Sequence, residues 1–379
     1  MSTLAQRRPS PVAERRGAFE YVFPAIRGVQ AQREFYVTMC PLRLIPRLFV
    51  FDEEELLPEL RAQRTLNRAR VPDIARYILD NQDTYTFSAL TASVDVDLRF
   101  EGFGGDGPLD RIGTLSIPMS AKFVINDGQH RRAAIEEALR ENPELGDESI
   151  AVVLFLDLGL SRCQQMFADL NRYAIRPAPS LSVLYDQRDP RACIARQVVF
   201  ESRVLTDLVE TEKSNLSVRS RKLFTLSAVF TCTKALLDGF DDLPYEKQAG
   251  IAQDFWTALI DYFPDWKRVA QQEVAAGDIR RDFLHSHGIA LHALGKAGNR
   301  YVSPTSSLQG WRKKLAPLRA VDWSRANRAM WEGRALVGGR ISKSSANVLL
   351  TANALRGVLG QELNEEEQLA EKAFMGEGR

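Results

Sequence analysis

Cysteine is scarce in this chain, which has four in 379 residues. The four lie far apart, and no pair has the spacing of zinc ligands or of a redox-active dithiol. We therefore expect reduced, mostly buried thiols in a cytosolic protein without a metal site. The cysteines are Cys40, Cys163, Cys193 and Cys232.

Long apolar runs are absent as well. No stretch approaches the ~20 apolar residues that a membrane-spanning helix needs. Residues 1–17, which are basic and contain proline, lack the apolar run of a signal peptide. The sequence thus predicts a cytoplasmic protein with no membrane partner, and we expect residues 1–17 to form a mobile basic arm.

Net charge is almost absent, because 50 Lys and Arg oppose 49 Asp and Glu. A protein that coats DNA would be far more basic, so any contact with nucleic acid must come from a local patch. Residues 299–356 form such a patch, since eleven Lys and Arg oppose only Asp322 and Glu332, a formal charge of +9. Residues 357–379, with six Glu against one Lys and one Arg, carry −4.

We expect the cations of this basic segment, residues 299–356, to face DNA phosphates. Its Trp311, Trp323 and Trp331 are expected in the core instead. The acidic residues 361–379 are expected to compete with DNA for the basic segment. With a second basic run at residues 217–222, the predicted DNA-binding residues are Arg219, Arg221, Lys222, Arg312, Lys313, Lys314, Arg340 and Lys343.

Several enzyme signatures are missing. The sequence has no Walker A motif, no spacing typical of a Ser/His/Asp triad and no acidic cluster typical of a nuclease. His285, His287 and His292 are close in sequence, but their spacing does not place ligands on one helix face as an i,i+4 pair would. We expect these histidines to pack rather than to bind a metal.

The most informative segment that is present is residues 122–139, KFVINDGQHRRAAIEEAL. A short β-rich run precedes turn residues at 126–128, and from Gln129 apolar residues recur at steps of three and four. Arg131 and Arg132 then fall in the first helical turn, where the positive end of the dipole disfavours cations. An anion bound there would resolve this conflict. The spacing equally allows solvated arginines and a locally packed histidine.

The pattern of the chain changes near its middle. Strand-like and helical segments mix up to about residue 158, and helical spacing dominates after about residue 180. Two prolines interrupt the pattern within residues 175–182, which predicts a domain boundary there. We therefore predict an α/β or α+β domain at residues 18–178, an all-helical domain at 179–360 and an acidic tail at 361–379.

The letters DGQHR at residues 127–131 spell the motif that names a domain family. That domain resembles the ParB/sulfiredoxin fold, in which a Gly-x-x-Arg turn before a helix cradles nucleotide phosphates. Further segments extend the resemblance over nearly the whole chain, to the DndB family of DNA sulfur-modification proteins. They are residues 167–177, 217–224, 321–324, 331–334 and 338–347.

This resemblance implies an accessory or regulatory protein of a bacterial phosphorothioation system, which replaces a non-bridging phosphate oxygen of DNA with sulfur. Proteins that look like DndB bind DNA and repress their own operon, and they are not the sulfur-transferring enzyme. The implied fold is a ParB/sulfiredoxin-like N-terminal domain followed by an all-α domain. Double-stranded DNA and other phosphorothioation proteins are the implied partners, and self-association is left open.

The resemblance also implies a nucleotide or phosphate site at the turn. For Asn171 and Arg172, which would lie beside it, capping of a preceding helix is an equal alternative. A rival interpretation is a nucleoside triphosphatase that uses ATP or CTP with Mg²⁺, in which Asp127 and His130 would be catalytic. The sequence does not decide between a regulatory DNA-binding protein and a nucleoside triphosphatase. The implied binding residues are Gly128, Gln129, His130, Arg131, Arg132, Asn171 and Arg172.

Overall fold

The computed structural model describes residues 19–49, 68–104, 107–156, 165–166, 168–170 and 177–376. Within these ranges the chain forms two compact units that divide between residues 175 and 176. The predicted arm at residues 1–17, Cys163, and the predicted site residues Asn171 and Arg172 lie outside the described residues.

The first unit is built on a seven-stranded sheet. Its strands are β1 (Glu20–Gln30), β2 (Arg33–Pro41), β3 (Leu90–Val94), β4 (Arg99–Gly102), β5 (Ile112–Pro118), β6 (Phe123–Asp127) and β7 (Ser149–Leu156). Their order in the sheet is β4-β5-β1-β2-β7-β3-β6. Neighbouring strands are antiparallel except β3 and β7, which are parallel, so the sheet is mixed.

Among the described residues, three α-helices accompany this sheet, namely α1 (Ile45–Leu48), α2 (Val71–Asp80) and α3 (Gln129–Glu141). Helix α2 carries proline in its first turn, where the missing N–H costs no helical hydrogen bond. The buried faces of α2 and α3 join strand residues in one core. Single-turn 3-10 helices lie at Leu42–Leu44, Arg68–Arg70, Pro108–Arg111 and Pro143–Asp147.

The second unit is mainly helical. Its helices are α4 (Pro179–Tyr185), α5 (Pro190–Glu201), α6 (Arg203–Leu208), α7 (Leu226–Leu236), α8 (Tyr245–Tyr262), α9 (Pro264–Ala270), α10 (Ala276–Asp282), α11 (Gly288–Asn299), α12 (Leu308–Leu315), α13 (Arg328–Trp331), α14 (Ser345–Val358) and α15 (Glu365–Met375). A 3-10 helix follows α12 at Ala316–Ala320.

The expectation of an all-helical second part is wrong in one respect. Strands β8 (Val209–Glu210) and β9 (Phe224–Thr225) pair in parallel, and β10 (Leu336–Val337) and β11 (Arg340–Ile341) pair antiparallel. Each strand has two residues, which is too short for the alternation of apolar and polar side chains that marks a strand in sequence.

Tryptophan side chains fill the core of the second unit. Trp256, Trp266, Trp311 and Trp331 are fully buried, and Trp323 is 6% exposed. The predicted core position of the three tryptophans in the basic segment is therefore confirmed. No helix among the described residues is long and apolar enough to span a membrane.

The acidic C-terminal residues form a helix that packs on the second unit. Asn364 caps α15 through a capping box with Glu367, so the helix start is satisfied by its own side chains. Glu367 is buried, and its carboxylate lies 2.7 Å from Arg356 and 2.6 Å from Arg300. In addition, Glu371 pairs with Arg334 at 2.6 Å. The described part of this predicted tail is thus a folded element.

Candidate functional site

The DGQHR residues form the predicted strand, turn and helix. Strand β6 ends at Asp127, Gly128 has a left-handed φ of 103°, and α3 begins at Gln129. A Cβ atom on Gly128 would lie 2.4 Å from Cδ2 of Leu90. Glycine is therefore required here both by its backbone angle and by the close approach of β3.

Arg131 connects the turn to a distant segment. Its Nη1 donates to the carbonyl oxygens of Ser88 and Ala89, at 2.6 and 3.0 Å, and to the Ser88 hydroxyl, while Nη2 lies 2.5 Å from the Asp127 carboxylate. The side chain is only 16% exposed. Carbonyl and carboxylate oxygens thus supply the negative partners that the first helical turn was expected to take from a bound anion.

Arg132 is also engaged within the first unit. Its Nε donates to the Phe49 carbonyl at 2.8 Å, its Nη2 to the Pro46 carbonyl at 3.2 Å, and its Nη1 pairs with Glu136. Both arginines therefore stabilise the fold around the turn. Their phosphate-binding role stays a prediction. A phosphate bound there would have to share guanidinium groups that already bind protein oxygens.

Two other side chains of the turn have unusual surroundings. Burial lowers the pKa of His130, and the nearby Arg70 lowers it further, so this imidazole is neutral at pH 7. The Oε1 atom of Gln129 is buried and has no hydrogen-bond partner among the described residues. In the described part of the chain, no group of three or more His, Cys, Asp or Glu could hold a metal ion.

A basic cavity of about 820 Å³ lies within the second unit. It brings together Arg219 and Arg221 from the loop before β9 with Lys343, which lies more than 100 residues later in the chain. The sequence predicted these three residues as DNA-binding but could not show that they share one cavity. Other polar residues that line it are Ser214, Asn215, Ser220, Thr225, Gln272, Asp278, Arg280, Arg281, Ser286 and His287.

Arg280 fixes the loop that carries the first two cations. Its Nη2 donates to the carbonyl oxygens of Ser217, Val218 and Ser220 at 2.9 to 3.1 Å. A Cβ atom on Gly277 would lie 2.6 Å from the Val218 carbonyl oxygen, so α10 and this loop are in close contact. Burial lowers the pKa of Arg280. In the cavity wall, Arg280 thus holds the backbone of residues 217–220 in place.

The cations of the cavity are poorly neutralised. Within the described ranges, Arg219, Arg221 and Lys343 make no hydrogen bond or ion pair, and all three are exposed. Asp278, the single carboxylate among the described residues that line the cavity, lies 2.8 Å from Arg281. The unpaired positive charge is therefore available to a negatively charged partner.

The N-terminal end of α11 opens into the same cavity. The capping residue His287 makes no side-chain bond to the first N–H groups of the helix, which carry partial positive charge. A Cβ atom on Gly288 would lie 3.9 Å from Nζ of Lys343. An ammonium group and a helix N-terminus close together form a favourable environment for an anion.

The histidines near this end are packed and neutral. His287 Nε2 lies 2.7 Å from the Arg280 carbonyl, and a carbonyl only accepts, so Nε2 carries the proton. Burial lowers the pKa of His287 to about 4. His285 accepts from Trp266 Nε1 at 3.0 Å, and burial lowers its pKa to about 3. The prediction that these two histidines pack is confirmed.

The remaining predicted DNA-binding residues lie outside the cavity or are engaged. Lys222 donates to the Thr206 carbonyl at 3.0 Å, and Lys314 to the Tyr301 carbonyl at 3.1 Å. Arg312 forms a two-donor contact with Asp261 at 2.7 and 2.9 Å. Neither Lys313 nor Arg340 lines the cavity. Three of the eight predicted residues thus line the cavity, and the DNA-binding role of all eight stays a prediction.

A family model described as DndB, DNA-sulfur modification-associated, matches residues 23–362, nearly the whole chain. The chain belongs to the DndB family. The match spans the DGQHR turn and every residue of the basic cavity. No curated protein and no solved structure matches the chain significantly. The ParB/sulfiredoxin-like fold of the first unit therefore stays a prediction.

Proposed function

We propose that this DndB-family protein is a DNA-binding accessory and regulatory protein of a DNA sulfur-modification system, and that the basic cavity holds the DNA backbone. The observation that carries the proposal is that Arg219, Arg221 and Lys343 line one cavity together with the N-terminal end of α11. Contacts between cations and phosphates supply most of the affinity of non-specific DNA binding. Backbone N–H groups at a helix start can hold a phosphate in a defined position.

The proposal predicts a steep dependence of DNA affinity on salt. Each neutralised phosphate contributes about 0.9 to the slope of log K against log salt concentration. Replacing Arg219, Arg221 and Lys343 together by Gln should weaken binding and flatten this slope by up to about 3. The measurement is fluorescence anisotropy of a labelled duplex over a series of salt concentrations.

Lys313→Gln is the matched control. Lys313 is an exposed cation of the same unit whose ammonium group makes no hydrogen bond or ion pair with a described residue, but it does not line the cavity. If the control variant and the triple variant have the same slope as the wild type, DNA does not use the cavity. If Lys313→Gln flattens the slope and the triple variant does not, the DNA surface is the outer face of α12.

A second candidate function is nucleotide binding, with or without hydrolysis, at the DGQHR turn. The observation that favours it is the buried Oε1 of Gln129, which lacks a donor among the described residues. A hydroxyl or amino group of a nucleotide would supply one. Arg131→Ala is a poor test because its guanidinium supports the fold. Binding of ATP and CTP with Mg²⁺ to Gln129→Ala, compared with wild type, tests this function, and equal affinity would exclude a role for Gln129.

A further inference from the structure

The two faces of the seven-stranded sheet in the first unit are covered to different extents. Helices α2 and α3 pack on one face, where Phe23 and Leu115 join their core. The opposite face, the outer face, is covered on its β3–β6 side, since Ser93 and Asn126 are 2% and 0% exposed. There Asn126 Nδ2 donates to Sδ of Met166 at 3.1 Å. The other side of the outer face, formed by β5, β1, β2 and β7, is open to solvent.

The open side of this face is apolar. Side chains alternate between the two faces of a sheet, so the neighbours of core residues point outward. Ile26 pairs with Ile112 of β5 and with Val37 of β2, and Val37 pairs in turn with Val153 of β7. The outward apolar residues form a single group, the open patch. Its members are Val22, Pro24, Ile26, Phe35, Val37, Met39, Ile112, Ala151, Val153 and Phe155.

Large side chains of the open patch are accessible to solvent. Val22 is 59% exposed, Ile26 54%, Met39 48% and Ile112 42%. Single exposed apolar residues are common on proteins, whereas contiguous apolar patches mark interaction sites. Four strands that lie about 4.8 Å apart and run for about 20 Å present roughly 400 Å² of sheet face. Apolar patches of this size are often functional.

Charged residues border the open patch at the edge strand β4. The register places Arg99 opposite Ser116 and Glu101 opposite Thr114, on the outer face. Arg99 lies 3.0 Å from the carboxylate of Glu20 and 3.4 Å from that of Glu101. Charges on an edge strand oppose the pairing of that strand with another sheet. The first unit is therefore built to associate through the face of its sheet and not through this edge.

A second copy of the chain has the chemistry and the size that this face requires. In a dimer with twofold symmetry, residues near the axis meet their own counterparts, and an uncharged patch avoids the repulsion of like charges there. An apolar centre with a charged rim is the anatomy of protein interfaces. Two patches bury about 800 Å², and the rim supplies the rest of the about 1,000 Å² that a specific interface exceeds. DNA is excluded as the occupant, because its phosphates require cations.

We propose that the open patch is the interface of a homodimer, in which the outer faces of two sheets pack against each other. Sheets packed in this way lie about 10 Å apart, and their side chains interdigitate. Ile26 and Val37 lie at the centre of this interface, and Glu20, Arg99 and Glu101 lie at its rim. The interface belongs to the first unit, whereas the basic cavity is lined by residues of the second unit. The dimer is therefore independent of the proposed DNA contact.

Sedimentation equilibrium of the full chain at micromolar concentrations tests the proposal and should give twice the mass of one chain. Ile26→Glu should weaken the dimer about a hundredfold or more, because two identical charges meet in an apolar interface. Ile26→Thr, which keeps the β-branched shape, should weaken it less. The matched control is Val29→Glu, since Val29 is a 66% exposed residue of the same strand that alternation places on the other face. This control should dimerise like the wild type.

Three results would overturn the proposal. A monomeric wild-type chain would leave the open patch to a different protein, and a dimer of unchanged affinity in Ile26→Glu would place the interface on another surface. Equal weakening in Ile26→Glu and Val29→Glu would trace the effect to the stability of β1, which circular dichroism and Tm of both variants measure. The triple variant of Arg219, Arg221 and Lys343 should dimerise like the wild type, so failure of the DNA proposal is separable from failure of the dimer.

Discussion

Replacing Glu367 by Gln should destabilise the second unit strongly. The carboxylate is buried between Arg300 and Arg356, and the Arg356 side chain is only 7% exposed. Glutamine has nearly the same shape, and its Oε1 can still accept from the Asn364 N–H as Glu367 does at 2.9 Å. The substitution therefore removes the negative charge and keeps the capping box.

The size of the effect depends on which arginine stays buried without a negatively charged partner. Removing one partner of a buried ion pair costs about 3–5 kcal/mol, because the other charge stays buried and uncompensated. Arg356 is such a charge, and burial already lowers its pKa. Arg300 is 31% exposed, so water can solvate it and its share is small. We expect a loss near the lower limit, about 3 kcal/mol, because glutamine retains hydrogen bonds.

Thermal and urea unfolding of the full chain measure this loss. For a unit of about 200 residues, 3 kcal/mol lowers Tm by roughly 6–12 °C. Glu366→Gln is the control, since Glu366 is the exposed neighbour in the same helical turn and should change stability by less than about 1 kcal/mol. A loss in Glu367→Gln no larger than in the control would refute the view that this buried pair anchors α15.

Three further outcomes are expected. Arg131→Ala should lower the stability of the first unit by about 1.5–3 kcal/mol, because it removes the contacts to Ser88 and Asp127. Arg140→Ala is the control and should change stability little, since the Arg140 side chain is 73% exposed. Equal losses of stability in urea unfolding would contradict this prediction. In the folded protein the pKa values of His285 and His287 lie below the value of histidine in the unfolded chain, so the unfolded chain binds more protons as pH falls below about 6.5. The free energy of unfolding should therefore be lower at pH 5 than at pH 7 by up to about 4 kcal/mol. A free energy of unfolding that does not change over this range would exclude buried neutral histidines. Deleting residues 361–379 should lower Tm through loss of the α15 ion pairs, and tighter non-specific DNA binding at unchanged Tm would show instead that these residues act as a competitor of DNA.

The DGQHR turn shows what the sequence alone determined. The β-rich run, the glycine and the helical spacing are all local properties, so the strand, the left-handed Gly128 and the start of α3 could be predicted from adjacent residues. The same holds for the buried tryptophans, because large apolar side chains between basic residues have few other places to go. Family membership also followed from short motifs spread along the chain.

The partners of charged residues were decided only by the tertiary structure. Arg131 contacts Ser88, which is 43 residues away, and Glu367 pairs with Arg300 across 67 residues. In the sequence, these groups belong to a cationic turn and an acidic tail. In the fold, Arg131 is paired within the first unit and Glu367 within the second unit, because a buried charge must find a partner wherever packing places one.

The basic cavity depends on the tertiary structure for the same reason. Its cations come from the loop before β9, from α10 and from the segment between β11 and α14, and charge in the sequence does not reveal which cations already have partners. The basic segment predicted a DNA surface along residues 312–314, where Arg312 and Lys314 are engaged. Long-range packing of helices brings the unpaired Arg219, Arg221 and Lys343 to one cavity with the start of α11, and a local sequence pattern cannot encode this placement.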